Sequence, residues 1–232
     1  SNKLTIDHVN TADPTVSFAE YAYANPYYRK YGEDGKVSRY LYYPEEGLDD
    51  FPVSNPLWNA SLNSWSRTGS FGFTNNFILE WFMTDALRAR AKFGLTRADD
   101  DEQSRLSPLH TRFDDVGETE KGLYTNTRIN QMVYEGDASI TFGKLFAEKH
   151  MVNAVGGFNF SSNRQQIYGY TANGFTDDQF DAPSFANGYP SGDKPEYKES
   201  LKRAVSFYVN GGYVYDDRYL MDFNYRLDGA SM

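Results

Sequence analysis

Aromatic side chains set in polar sequence are the residues of this chain whose type and setting could do chemistry. Tyr27, Tyr28, Trp58, Trp65, Tyr168, Tyr170, Phe175 and Tyr189 stand among Asn, Asp, Gly and Pro. Flat aromatic faces beside amides and carboxylates suit sugars or peptides, because apolar contact is combined with oriented hydrogen bonds. The plainer reading is that they pack one loop against another. Catalytic constellations are missing. His8, His110 and His150 are isolated, without the His-x-x-x-His spacing of a zinc helix. There is no Gly-x-Ser-x-Gly elbow and no phosphate-cradling glycine loop. The run Asp99-Asp100-Asp101-Glu102 reads as a solvated acidic loop, since a calcium loop wants spaced ligands and a turn glycine. The expectation is a non-enzyme, with no metal site and no cofactor.

Composition narrows what could hold these aromatics. Of 232 residues 17% are aromatic, including 19 Tyr and 17 Phe, yet the mean hydropathy is −0.67. No run of about 18 apolar residues occurs, which excludes a transmembrane helix. A membrane-spanning β-barrel gives this averaged signal, because each lipid-facing residue is followed by a polar one. An aromatic-rich extracellular β-sandwich alternates for the same reason. The net charge of −9 disfavours nucleic acid, which needs a basic footprint. With no cysteine there are no disulfides and no thiolate metal sites. The chain has no initiator Met and no signal-peptide pattern, so a secreted or outer-membrane address requires a leader elsewhere and a longer parent protein.

Residues 1–66 read as a loop-rich insertion with short strands at Leu4-Thr5-Ile6 and Val16-Ser17-Phe18. Asp13-Pro14, Asn25-Pro26, Tyr43-Pro44, Phe51-Pro52 and Asn55-Pro56 break up the remainder. Residues 67–232 read as successive hairpins. Tight turns are expected at 83–85, 148–150 and 216–218, and long polar loops at 98–122 and 165–200. Short turns at one end and long loops at the other is the layout of an outer-membrane barrel, with the turns periplasmic and the loops extracellular. Charge cost fixes the phase. Arg88, Arg90 and Lys92 alternate with Leu87, Ala89, Ala91 and Phe93, and a basic group near the bilayer midplane costs about 2–4 kcal/mol. Leu87, Phe93, Phe223 and Tyr225 should therefore face lipid, and Arg88, Arg90, Asp222 and Arg226 the lumen. Trp81, Tyr213, Tyr215 and Tyr219 sit where an interfacial aromatic girdle belongs. Gly156-Gly157 and Gly211-Gly212, inside strands, would permit bending or close approach.

Wording adds to pattern. Tyr213-Val214-Tyr215, Asp216-Asp217-Arg218, Tyr219-Leu220 and then Arg226-Leu227-Asp228-Gly229-Ala230-Ser231 follow in an order that resembles the mid-barrel of SusC-like TonB-dependent transporters. Asn25-Pro26-Tyr27-Tyr28, Asp34-Gly35 and Asn55-Pro56-Leu57-Trp58-Asn59-Ala60 resemble the same family, with Trp58 where it often has Tyr. Arg226, Asp228, Gly229 and Ser231 are the family-motif residues. The resemblance implies an all-β fold, a segment of antiparallel transmembrane β-barrel lacking the plug and the barrel's C-terminal end. It further implies import of oligosaccharides or peptides, a SusD-like surface lipoprotein as partner, contact with membrane lipid, and TonB acting through a segment not present here. On this reading Trp58, Trp65, Tyr27, Tyr28, Tyr168 and Tyr170 are the candidate ligand or lid contacts. A partial wall would leave two unpaired sheet edges and should need the full assembly to fold. A secreted glycan-binding sandwich and a passive porin remain the alternatives.

Overall fold

The computed structural model describes residues 1–44 and 51–231; residues 45–50 of the loop-rich stretch, and Met232 just after the Arg226–Ser231 motif, lie outside the described residues. The chain runs through β1 (Asn2–Asp13), α1 (Phe18–Tyr23), β2 (Tyr40–Tyr42), β3 (Val53–Ser54) and α2 (Pro56–Ser61). Six long strands follow: β4 (Trp65–Thr84), β5 (Leu87–Leu106), β6 (Leu123–Phe146), β7 (His150–Asn173), β8 (Glu196–Tyr215) and β9 (Tyr219–Ser231). Seven strands form one antiparallel sheet in the order β1-β4-β5-β6-β7-β8-β9, while β2 and β3 pair separately. Among the described residues the outer edges of β1 and β9 carry no partner strand.

Alternation survives unbroken along the wall because the registers do. β5 pairs with β6 from Leu87↔Phe142 to Leu106↔Leu123, and β6 with β7 from Phe146↔His150 to Leu123↔Asn173, without a bulge. Cross-strand partners point the same way, so one face collects Phe77, Phe93, Phe207, Phe223 and Tyr225 with Leu87, Leu79 and Ile140. Arg88, Arg90, Asp222 and Arg226 lie on the opposite face, with the polar residues Thr74, Gln131, Asn159 and Asn210. Apart from the half-buried Leu87 these side chains are exposed, with no second layer of sheet over them among the described residues. A soluble sandwich would bury that face; a membrane-spanning wall turns it to lipid.

Strand length separates two zones. β9 presents Tyr219 to Leu227 as apolar or aromatic on alternate residues, close to the 9–11 residues a tilted strand needs to cross a bilayer. β6 and β7 are each 24 residues long, so about a dozen residues of each continue beyond the band. There the same face turns polar, with Arg97, Asp99, Asp101, Arg128, Arg164 and Glu199.

Several expectations shift accordingly. The connections read as 98–122 and 165–200 are shorter, spanning 107–122 and 174–195, because β5, β7 and β8 carry on as ladder. Residues 99–102 are strand, paired with residues 127–130 of β6, and not an acidic loop. Residues 2–13, placed in the loop-rich stretch, form a full wall strand against β4. Val16-Ser17-Phe18 is not a strand. Ser17 caps α1 in a reciprocal box with Glu20, which is the stronger local signal. The tight turns fall at 85–86, 147–149 and 216–218; Ala147, Glu148, Asp216 and Asp217 have positive φ, the handedness that matches twisted strands.

Candidate functional site

The three long connections meet at one end of the sheet and build a head with its own small core. Two asparagines of α2 and the Lys121 carbonyl tie them together. Asn55 opens α2, with its oxygen accepting from Leu57 N at 3.1 Å and Pro56 as the first helical residue. Its amide nitrogen donates to the carbonyls of Lys30 and Ser38 at 3.0 and 2.7 Å, so one buried Asn gathers three pieces of 14–64. Asn59 ties α2 to residues 107–122, with Nδ2 donating to Thr111 Oγ1 at 3.0 Å and Oδ1 accepting from Thr111 N at 3.3 Å. Arg39 pairs with Asp114 across the same seam. Lys121 O accepts from Gly174 N and Phe175 N at 3.0 and 2.8 Å, which joins 107–122 to 174–195 and buries the Phe175 ring.

Arg105, on β5, is the centre of the head. Its side chain is 0% exposed. The guanidinium donates to the carbonyl of Asn63, and to those of Asp178 and Phe180 at 3.1 and 3.0 Å. The Asp178 carboxylate lies 3.6 Å away and itself accepts from Asn63 N at 3.2 Å. Two distant connections are thus pinned to the rim of the wall by one side chain. Nothing in the sequence marks Arg105, because it follows a run of polar residues and its partners lie elsewhere in the chain.

The six aromatic candidates do not form one cluster. Trp65 opens β4 and meets Tyr124 edge to face at 6.1 Å; Tyr170 packs on the other side of Tyr124, also at 6.1 Å. Tyr124 is the member of this set that the sequence did not single out. The Arg67 guanidinium covers the Trp65 ring at 4.5 Å. Trp58 sits on α2, its indole N–H directed at Leu109 O at 3.4 Å, with Arg39 5.9 Å from the ring centre. Tyr168 pairs with Tyr197 of β8 at 5.0 Å, and Tyr28 stacks on Tyr42 at 5.7 Å. Tyr27 is 94% exposed. Phe175 is buried and Tyr189 exposed.

The motif residues lie apart from the head, on β9. Arg226 donates from Nε to Asp228 at 2.8 Å and from a terminal nitrogen to Ser206 Oγ at 3.1 Å, on the polar face. Gly229 and Ser231 pair with Val205 and Arg203 and lie on the opposite face. The polar face continues as a ladder of weak pairs: Glu80 with Arg90 at 3.5 Å, Lys92 with Glu135 at 3.9 Å, and Tyr208 with Asp137 at 3.3 Å. A Cβ at Gly157 would lie 2.2 Å from the Tyr208 ring. His110 caps a short turn by accepting from Arg112 N at 3.1 Å. Burial holds its pKa below the usual imidazole value, against the pull of Glu20 and with help from Arg112 and Arg39.

An apolar belt one bilayer high, a polar inner face and a loop-built head define a segment of transmembrane β-barrel wall. The chain resembles the SusC-like, TonB-dependent class of such barrels. It is 25% identical over 206 residues to TonB-dependent receptor P26 of Formosa agariphila, covering 87% of this chain and 20% of that protein. Its fold matches the RagAB peptide importer in the open-open state with a TM-score of 0.68 at 16% identity, over 99% of this chain and 26% of the other. The match to the RagAB peptide transporter has a TM-score of 0.67 at 17% identity, over 85% and 21% of the two chains. No family model matches the sequence. The chain thus spans about a fifth of the length of its curated relative.

Proposed function

We propose that this chain is part of the wall of an outer-membrane importer of the SusC-like kind, in a Gram-negative, Bacteroidota-like cell. The parent protein carries oligosaccharides or peptides through the barrel, a SusD-like lipoprotein seats over the long-loop end, and TonB acts through another part of the protein. The observation that carries this reading is the two-zone wall. Its strands outlast the membrane by about a dozen residues and end in a head cross-linked through Arg105, a platform that a simple pore does not need. The relatives' names, a TonB-dependent receptor and a peptide importer, point the same way. Transport, and not catalysis, is the activity assigned.

Among the candidate contacts, Tyr27 is open to a ligand or lid, Trp58 acts through the connection it packs against, and Trp65 and Tyr168 lie on the outward face of the wall, paired with Tyr124 and Tyr197. Tyr28 and Tyr170 support them from stacked positions. Cells carrying the full-length protein should accumulate labelled peptide or oligosaccharide only with an energised inner membrane and with TonB. Uptake that persists without energy, at a rate linear in concentration, would identify a passive porin and overturn the reading.

A further inference from the structure

On the outward face, between the apolar band and the head, four arginines gather: Arg97, Arg128, Arg164 and Arg203. Three carboxylates share this belt, Asp99, Asp101 and Glu199, so it carries one net positive charge on a chain of net charge −9. The layering matters more than the sum. Arg97 and Arg164 donate through Nε to Asp99 and Glu199 at 2.7 and 2.6 Å, and Arg128 lies 3.4 Å from Asp101. The three arginine side chains are 55%, 54% and 55% exposed, against 25%, 33% and 32% for their carboxylates. Each carboxylate therefore lies beneath its guanidinium, and cation is what the surface presents. Because the Nε groups make these bonds, the terminal nitrogens of Arg97 and Arg164 have no partner among the described residues, and Arg203 has no ion pair among them. A paired set of free N–H groups on a planar fork is the geometry that suits phosphate.

Height selects the source of that phosphate. Leu95 and Tyr134 close the apolar band on β5 and β6, and Arg97 comes two residues later on β5. Arg97, Arg128, Asn130, Arg164 and Gln166 line one groove of about 490 Å³ on the lipid side of the wall, with Asp99, Gln131 and Met132 completing its lining; Asp99 is the carboxylate already bonded by Arg97 Nε. A solute bound for the lumen does not pass there, whereas lipid headgroups stand at this level all round a barrel. We propose that this groove binds the phosphorylated headgroup of a membrane lipid. The bond set is two terminal guanidinium nitrogens each from Arg97 and Arg164, with Arg128 above and the Asn130 amide in the middle; Arg203 adds positive charge on β8 below the groove without lining it. The site follows from which way the wall faces, and stands whether or not the parent protein imports anything.

The test uses the full-length protein in nanodiscs of phosphatidylcholine doped with phosphatidic acid or, as the uncharged match, diacylglycerol. Lipid retained on the protein is read by native mass spectrometry. The wild-type protein should hold phosphatidic acid in preference, and each arginine neutralised to Gln should reduce the preference about fivefold, the weight of one basic side chain at a charged surface. The triple variant Arg97→Gln, Arg128→Gln, Arg164→Gln should bind both lipids alike. The triple Lys replacement, which keeps charge and loses the fork, should keep part of the preference. Lys198→Gln with Lys202→Gln, on the inner face of β8, should change nothing; an equal loss there would overturn the site. Heat-shifted gel mobility confirms that each variant barrel is assembled. Retention that is indifferent to the headgroup phosphate overturns the proposal, and so does displacement of the lipid by millimolar inorganic phosphate, which would make this a free-anion site.

Discussion

Replacing Arg105 with Met should release the head from the wall while leaving the wall intact. The guanidinium is fully buried and makes its three closest hydrogen bonds to carbonyls of two connections, at residues 63, 178 and 180, with Asp177 O a fourth acceptor at 3.5 Å, beside the Asp178 carboxylate. A hydrogen bond to a charged group contributes about 1.5–3 kcal/mol, which for three would sum to roughly 5–9 kcal/mol. The sum overstates the effect, because the bonds share one donor group and freed carbonyls can turn to water. Removing one partner of a buried ion pair costs about 3–5 kcal/mol, and that is the figure to expect. At 1.4 kcal/mol per factor of ten, amide exchange in 174–185 and around Asn63 should accelerate about 10² to 10³-fold. Exchange in the centre of β6, whose ladder bonds run to β5 and β7, should stay unchanged. The assay is hydrogen exchange with mass spectrometry on the full-length protein in detergent or lipid. Lys at this position keeps the charge but cannot reach three acceptors at once, so it should fall between Met and wild type. Unaltered exchange in 174–185 for Arg105→Met would refute the pinning argument. Equal acceleration in β6 would show that Arg105 supports the wall as a whole.

Three further outcomes follow from the same geometry. Val209→Arg puts a charge on the apolar face of β8 and should cost about 2–4 kcal/mol, seen as lost heat-shifted mobility of the assembled protein; Asn210→Arg, one residue on and facing inward, should assemble normally. Equal damage from both would reverse the phase. Gly157→Ala forces a methyl against the Tyr208 ring and should cost about 1–3 kcal/mol in urea refolding. Gly156→Ala, with open space at its Cβ, should stay within about 0.5 kcal/mol, and a larger loss there would discredit the packing assignment. His110 is held neutral by burial, so the folded loop binds its proton less readily than the unfolded one. The loop's stability should be full above the unfolded pKa of about 6.5 and decline as pH falls from there to the lowered folded value. Proteolysis of 107–122 against pH reads this, and an unchanged profile for His110→Asn would refute the histidine's part in it.

Strand phase was legible because the membrane writes it. In 87–95 and 219–227 one face meets lipid and the other water, so residue type alternates as strongly as the two solvents differ. Beyond the band that contrast disappears. Arg97, Asp99 and Asp101 face outward and Ala98, Asp100 and Glu102 inward, yet both sides are wet. Polar residues on both faces look like loop, which is why 98–106 and 165–173 carried no strand signal while their ladder hydrogen bonds continue regardless. The head was illegible for a different reason. Asn55, Asn59 and Arg105 act by meeting carbonyls and hydroxyls far away in sequence, and such contacts leave no local period. The Asn-Pro pairs were noticed as wording and read only as breaks. Their physical role is to start structure: Asn55 begins a helix, and Asn25 accepts from Tyr27 N at 3.0 Å in a side-chain turn.

The head and the wall also constrain how this end of the barrel can move. Trp65, Arg105, Tyr124 and Tyr170 come from β4, β5, β6 and β7 and share the outward face, so all four rest on strands whose lower halves are held in the membrane band. Residues 14–64 reach Arg105 through Asn63 and residues 174–195 through Asp178 and Phe180, while residues 107–122 are joined to 174–195 through Lys121. Moving any one connection alone would break bonds to the other two, and moving 14–64 or 174–195 would also take acceptors from Arg105. The less costly motion therefore keeps the three connections together. The Arg105→Met exchange experiment therefore also tests whether the three connections open as one unit.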